Sequence, residues 1–357
     1  MRIMFVYWKL DNAGSAQTIY NYSLSAKALG HEIVLYAPED PASRVSCSLD
    51  VESADAIIFV MEWNIYLHNN IPLDLEGPIS RSARKRRIVI DNDGMYNKVI
   101  RVDGDYNHPD VADSERRTEL YDSISDRIYQ PTLHPLRPNV GTFLFHAYNP
   151  SWEVPLDFRA KKYGMCYVGS NWFRWRAMRR LLQAIEPIRE QVGGICLTGH
   201  NWDAAPWWVE QPLRDDAYST DPSYLQKMDV EIMPPIPVEQ VIPSMSKGVF
   251  NPVLVRPTFN HLRLANPRMF ETLAANTIPL FGLDREHVIE IYGDRASELV
   301  LDEDATDRIA DLIFRPDYYA EIVQDIRRNL VKKHSFEVRI QELTEIVNSG
   351  EVPGLCD

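Results

Sequence analysis

The first forty residues alternate between apolar runs and polar, helix-compatible stretches. RIMFVYW (2–8) reads as a buried strand, LDNAGS as a polar turn, Ser15 to Leu29 as a helix closed by Gly30, and HEIVLYAP as a second strand. Strand, helix and strand in so short a span make a βαβ unit, which forces parallel pairing and a right-handed crossover. The pattern continues through DAIIFVM (55–61), RRIVID (86–91) and GTFLFHAY (141–148), with an acidic helical segment from Asp113 to Tyr129 before the last. These apolar runs are continuous, as expected of strands covered by helices on both faces.

Two prolines and mixed charges in NPSWEVPLDFRAKKYG (149–164) mark a linker. A second series follows: GMCYVGS, a helix from Trp175 to Val192, GGICLTG (193–199), VEIMPP (230–235), a helix over Val238 to Met245, GVFNPVLV (248–255), a helix opened by Asn266, and TIPLFG (277–282). Trp202 to Leu225 reads as a long loop, and Asp317 to Asn348 as a helical end. The expected fold class is therefore α/β, with two Rossmann-like domains, 1–150 and 151–357, separated by a cleft.

Length supports the division, since 357 residues exceed the roughly 250–300 at which one core stops growing. The first apolar run is too short for a signal-peptide core, and no stretch approaches the ~20 apolar residues of a membrane span. A cytoplasmic location is expected. Cys47, Cys166, Cys196 and Cys356 are scattered without a CxxC pair and read as reduced thiols. A formal charge of −13 makes nucleic acid an improbable partner for the surface as a whole. Two basic clusters depart from that balance: Arg81, Arg84, Lys85, Arg86 and Arg87, and then Arg174, Arg176, Arg179 and Arg180.

One segment carries sharper chemistry. In NPRMFETLAANTIPLFG (266–282), Asn266 suits an N-cap and Pro267 the first helical position. On a helical wheel Met269, Phe270, Leu273 and Ala274 share one side, and Arg268, Glu271 and Ala275 another, away from the core. A helix N-terminus offers amides and a positive dipole end to a phosphate, and an arginine adds a forked cation. Glu271 is placed to accept hydrogen bonds from a ribose diol. The competing reading is a plain ion pair at i, i+3, worth roughly a few tenths of a kcal/mol.

This segment resembles the donor site of GT-B glycosyltransferases, and its Arg three residues before the Glu resembles the spore-maturation-type branch. VGSNWFRWRAMRRLL (168–182) and VEQVIPSMSKGVFNPVLV (238–255) resemble the same branch in the same order. The resemblance implies a metal-independent transferase without a resident cofactor, using a UDP- or GDP-linked sugar as co-substrate, and a C-terminal helical stretch, Asp317 to Asn348, that crosses back onto the first domain. It implies that Glu271 holds the ribose, that Arg268 faces the diphosphate, that Gly169, Ser170 and Asn171 approach the phosphates, and that the backbone around Ile236 borders the base. Two departures stand out. Arg263 occupies the position of a second glutamate found in many retaining members, and Asn276 replaces the usual glycine after the helix, where a left-handed turn is expected.

Sugar transfer with inversion needs a base near the acceptor hydroxyl. Asp93 is the first candidate because it follows an apolar strand and precedes Gly94; Asp91 and His146 come next, with Asp11 and Glu62 as further candidates. Turn capping is the competing role of each such aspartate. Asn12, Gly14 and Trp63 lie in loops that would meet the acceptor, Arg256 and Arg263 would neutralise the leaving diphosphate, and His200 would reach a phosphate. Trp202, Trp207 and Trp208 either stack on an acceptor ring or anchor their loop. DND (91–93) and DGD (103–105) mimic a metal-binding motif that the architecture opposes, and no zinc-protease, calcium-loop or GxGxxG spacing occurs. The acceptor stays open among glycan, natural product, lipid and protein. Rival functions are a nucleotide-sugar epimerase, a silent binding protein, and a nucleic-acid glycosyltransferase using the Arg81–Arg87 cluster.

Overall fold

The structure is a computed structural model that describes residues 1–7, 14–62, 74–207, 209 and 217–354. The first sheet contains β1 (Arg2–Val6), β2 (Glu32–Tyr36), β3 (Cys47–Ser48), β4 (Ala56–Met61), β5 (Arg87–Asp91), β8 (Ile128–Gln130) and β9 (Val140–Thr142). Its order is β3-β2-β1-β4-β5-β8-β9, parallel throughout. A short antiparallel hairpin, β6 (Arg101–Val102) with β7 (Asp105–Tyr106), stands apart from it. The second sheet is β12-β11-β10-β13-β14, also parallel, from β10 (Tyr163–Val168), β11 (Ile195–Thr198), β12 (Val230–Met233), β13 (Gly248–Val253) and β14 (Ile278–Phe281).

The helices in chain order are α1 (Gly14–Ala28), α2 (Glu76–Ser80), α3 (Val111–Ile124), α4 (Trp175–Ile185), α5 (Arg189–Val192), α6 (Pro222–Lys227), α7 (Val241–Met245), α8 (Pro257–His261), α9 (Pro267–Ala274), α10 (Arg285–Tyr292), α11 (Ala305–Phe314), α12 (Pro316–Lys333) and α13 (Phe336–Ser349). Every residue of β4 and β10 is buried, which is why their sequences are apolar without alternation. In each sheet the strand order reverses beside the first strand, between β1 and β4 and between β10 and β13. Crevices outside the carboxyl ends of such switch points are where open α/β sheets bind ligands.

The last helix belongs to the first sheet. Phe336, Ile340 and Leu343 of α13 share a core with Phe5, Tyr22 and Phe145, and the rings of Tyr22 and Phe336 meet edge to face at 5.3 Å. Helix α12 packs instead under the second sheet, through Ile322, Val323 and Leu330. The break at His334–Ser335 separates them: Ser335 caps α13, and the His334 carbonyl accepts the Tyr148 amide at 2.8 Å.

Several elements differ from the sequence reading. GTFLFHAY pairs only through Thr142; beyond it Phe143 and Phe145 turn toward α1 and α13, and Tyr148 bridges to Ser335. The helix expected over Asp113–Tyr129 runs from Val111 to Ile124, because Asp110 caps it by accepting from Asp113 N. The helix expected to reach Val192 passes through a 3-10 turn at Glu186–Ile188, around Pro187, before α5. Asn276 is not left-handed; Ala275 turns the chain in an extended conformation, while the Asn276 side chain pairs both ways with the backbone of Asp157.

Candidate functional site

A cavity of about 720 Å³ opens at the carboxyl end of the second sheet. Gly169 and Ser170 enter it from the loop after β10, Gly199 and His200 from the loop after β11, and Ile236 from the Pro-rich turn after β12. The first two loops touch backbone to backbone: Gly199 has φ +146°, and a Cβ there would sit 2.3 Å from the Gly169 carbonyl oxygen. Asn171 lies beneath them, fully buried, donating its Nδ2 to the Asn201 carbonyl at 2.9 Å and its amide to that of His200. It supports the loop and does not line the cavity.

The start of α9 closes the cavity with Asn266, Pro267, Arg268 and Glu271. Asn266 occupies the N-cap position, but its side chain caps nothing, so the helix start stays open to the cavity. Glu271 is not turned to solvent as a wheel suggests. It is 7% exposed and faces the cavity, where its Oε2 lies 2.9 Å from Arg268 Nη1. Arg174, known from the sequence only as one of a basic cluster, also lines this space; its Nε and Nη1 are held by the carbonyls of Leu254 and Ser170.

The first sheet meets this cavity through Gly14, whose Cβ, if present, would lie 2.6 Å from Pro267 Cγ. One residue on, Ser15 donates its hydroxyl to Oε1 of Glu62, at the end of β4. Tyr7 donates to Oε2 at 3.0 Å, and Asn92 Nδ2 donates to Oε1 at 3.0 Å. Burial, then the neighbouring Asp93 charge, pushes the Glu62 carboxyl up to about 7 despite those three donors. A carboxylate titrating there is poised for proton transfer near neutrality. The sequence offered Glu62 only as one carboxylate after a strand; its distinction comes from three segments that converge on it.

Other expected site residues lie elsewhere. Asp91 is fully buried, accepting from the amides of Met95 and Tyr96 and from Gln130 Nε2, and burial raises it to about 6. It holds the turn after β5, the capping role that competed with catalysis. His146 sits in the core with Nδ1 2.8 Å from Thr18 Oγ1, its pKa pushed down to about 3 by burial. Arg263 faces α10, paired with Asp284 at 3.0 Å and Glu286 at 2.7 Å. Arg256 is buried against Asp105 of the β6–β7 hairpin, with Nη2–Oδ1 at 2.6 Å. Neither arginine lines the cavity. Asp11, Asn12, Trp63, Trp208 and Cys356 lie outside the described residues.

The arginines of the first basic cluster are occupied. Arg84 forks onto Asp126, while Arg81, Arg86 and Arg87 donate to carbonyls around them. Trp202 is buried and donates its Nε1 to the Gly169 carbonyl, anchoring its loop, whereas Trp207 is 90% exposed. Among the described residues no group of three or more His, Cys, Asp or Glu side chains converges as metal ligands, and no helix is long and apolar enough to cross a membrane.

No family model matches the sequence, and no curated protein matches it. Solved structures do. An alpha-glucosyltransferase in complex with UDP superposes with a TM-score of 0.61 at 12% identity, over 98% of this chain and 100% of that one. A glycosyltransferase from Rickettsia africae gives 0.58 at 9% identity, covering 98% of each chain. The DNA-modifying enzyme beta-glucosyltransferase gives 0.54 at 13% identity, over 97% and 99%. The chain has the GT-B fold. The 720 Å³ cavity lies at the carboxyl end of the second sheet, with Gly14 of α1 in its lining, and the Glu62 cluster lies at the end of β4 in the first sheet, bonded to Ser15, the residue after Gly14.

Proposed function

We propose that this protein is a glycosyltransferase that moves a sugar from a uridine diphosphate sugar to an acceptor hydroxyl. The observation that carries the reading is the cavity itself, where Arg174, Arg268, Glu271 and the open start of α9 converge on one space. Glu271 accepts from the ribose diol. The two guanidinium groups and the helix end neutralise the diphosphate as it leaves, which is the charge such a site must stabilise. Donor binding exchanges the Arg268–Glu271 pair for one contact each with phosphate and ribose.

The acceptor hydroxyl approaches from the first domain. Glu62, with the Asp93 charge beside it, takes its proton as the oxygen attacks the anomeric carbon; the bond from that carbon to the diphosphate oxygen breaks, and UDP departs. The product carries inverted stereochemistry. Uridine is favoured because neighbours of this fold are described with UDP or UDP-glucose, and the Arg–Glu spacing favours the spore-maturation-type branch. One neighbour is described with UDP and Mn2+; here two arginines supply the positive charge, so activity without added metal is the reading. The neighbours include a DNA-modifying enzyme and an enzyme of avilamycin A biosynthesis, so the fold does not choose the acceptor. A cytoplasmic enzyme suits such a donor.

The test is a thermal-shift panel of UDP, GDP, dTDP and their sugar conjugates, followed by product analysis with the stabilising donor. Stabilisation by UDP, with transfer to an added acceptor, supports the reading. No shift with any nucleotide sinks it, and turnover of donor to a stereoisomer without acceptor makes the protein an epimerase.

A further inference from the structure

Arg327 of α12 lies under the far end of α9, its side chain 7% exposed. Its Nε donates to the carbonyl of Leu273 at 2.7 Å, and its Nη2 to those of Ala275 at 2.8 Å and Ala274 at 3.3 Å. Its Nη1 donates to the carbonyl of Val154, in the segment joining the sheets, at 3.0 Å. The Val154 amide in turn donates to Ala274 O at 2.8 Å. The closest carboxylate is a weak partner, Glu153 at 3.9 Å from Nη1. A buried cation is thus held chiefly by four carbonyls, three of them at the C-terminal end of the helix whose other end opens on the donor cavity.

The arrangement answers a local deficit. Helix α9 spans eight residues, and Ala275 follows it in an extended conformation, so no left-handed residue caps its last carbonyls. The cation also complements the negative end of the helix dipole. Glu271 lies half a turn before Leu273, so whatever fixes Leu273, Ala274 and Ala275 fixes Glu271 and Arg268.

We propose that Arg327 is a positioning residue for donor binding: it pins α9 to the interdomain segment and so sets where Glu271 meets the ribose. The inference rests on the reading of Glu271 as the ribose ligand. Arg327→Met removes all four hydrogen bonds; Arg327→Lys keeps the charge and loses the fork.

The experiment measures UDP affinity by titration calorimetry and unfolding free energy in urea for wild type, both Arg327 variants, Glu271→Gln and the Arg327→Met/Glu271→Gln double variant. Expected is a loss of about tenfold or more in UDP affinity for Arg327→Met, the scale of one buried polar group left unsatisfied. A smaller loss is expected for Arg327→Lys. The double variant should bind more weakly than Glu271→Gln alone by clearly less than the full loss seen for Arg327→Met, because Arg327 acts in part through Glu271. A purely structural arginine would lower stability and leave the dissociation constant alone, or its loss would add in full to that of Glu271→Gln; either result overturns the proposal. Should Arg327→Met fail to fold, wild-type affinity in a folded Arg327→Lys overturns it as well. Wild type failing to bind UDP is a separate outcome, which removes the glycosyltransferase reading beneath it.

Discussion

Asp105 and Arg256 form a buried ion pair between the two halves of the molecule, with side chains 0% and 8% exposed and Oδ1 2.6 Å from Nη2. The Thr258 amide and hydroxyl also donate to the aspartate, and the rings of Phe173 and Phe259 lie 5.0 and 5.5 Å from the guanidinium. The β6–β7 hairpin is thereby plugged against the segment that follows β13 of the second sheet. Removing one partner leaves an uncompensated buried charge, so Asp105→Ala should cost about 3–5 kcal/mol of stability in urea unfolding. UDP affinity of the folded variant should change little. A fall in UDP affinity for Arg256→Ala at unchanged stability would restore this arginine to the diphosphate.

Glu271→Ala should abolish the thermal shift that UDP gives wild type. Ligand at about one hundred times its dissociation constant stabilises by ~2.7 kcal/mol, roughly 3–4 °C for a chain this long. An equal shift in the variant would return Arg268 and Glu271 to a simple structural ion pair.

Activity should rise with pH through about 7, because Glu62 must lose its proton to act as base and its folded pKa stands near there. Glu62→Gln should lower kcat by about 10²–10⁴ and flatten that limb of the profile. The stability effect has the opposite sign. A carboxyl raised by burial binds its proton more tightly when folded, so its contribution is complete below the unfolded pKa and is lost as pH rises through about 7. Glu62→Gln should therefore be more stable than wild type at pH 8 in urea unfolding; a glutamine variant destabilised there would contradict the desolvation account.

Gly14→Val should raise the donor KM more than it lowers kcat. The new side chain meets Pro267 Cγ, and separating α1 from α9 costs roughly 1–3 kcal/mol of overpacking. Steady-state kinetics at saturating acceptor would show it, and an unchanged KM would mean the two helices part freely.

Much of this fold was legible because its strands are local, continuous and buried, and the α9 segment because its residues are neighbours in sequence. Long-range partners were not. Asp105 and Arg256 are far apart in the chain, and nothing about either spacing distinguishes a plug from a phosphate ligand. Arg327 recognises carbonyls, which every residue has, so it leaves no pattern at all. Asp91 and Asp93 looked alike as carboxylates after β5; one faces the turn amides and the other stands beside Glu62. GTFLFHAY looked like a long strand because its aromatic residues are buried, but what buries them is α1 and a helix from the other end of the chain.

That last helix sets an order of events. The ribosome releases Tyr22, Phe143 and Phe145 well before Phe336, Ile340 and Leu343, which complete their core. At about 5–20 residues per second, the roughly 190 residues between Ala147 and Phe336 take on the order of 10–40 s to synthesise. Throughout that interval the aromatic face of Tyr22, Phe143 and Phe145 waits for the helix that covers it, so the core of the first sheet closes only after the whole second sheet has been made.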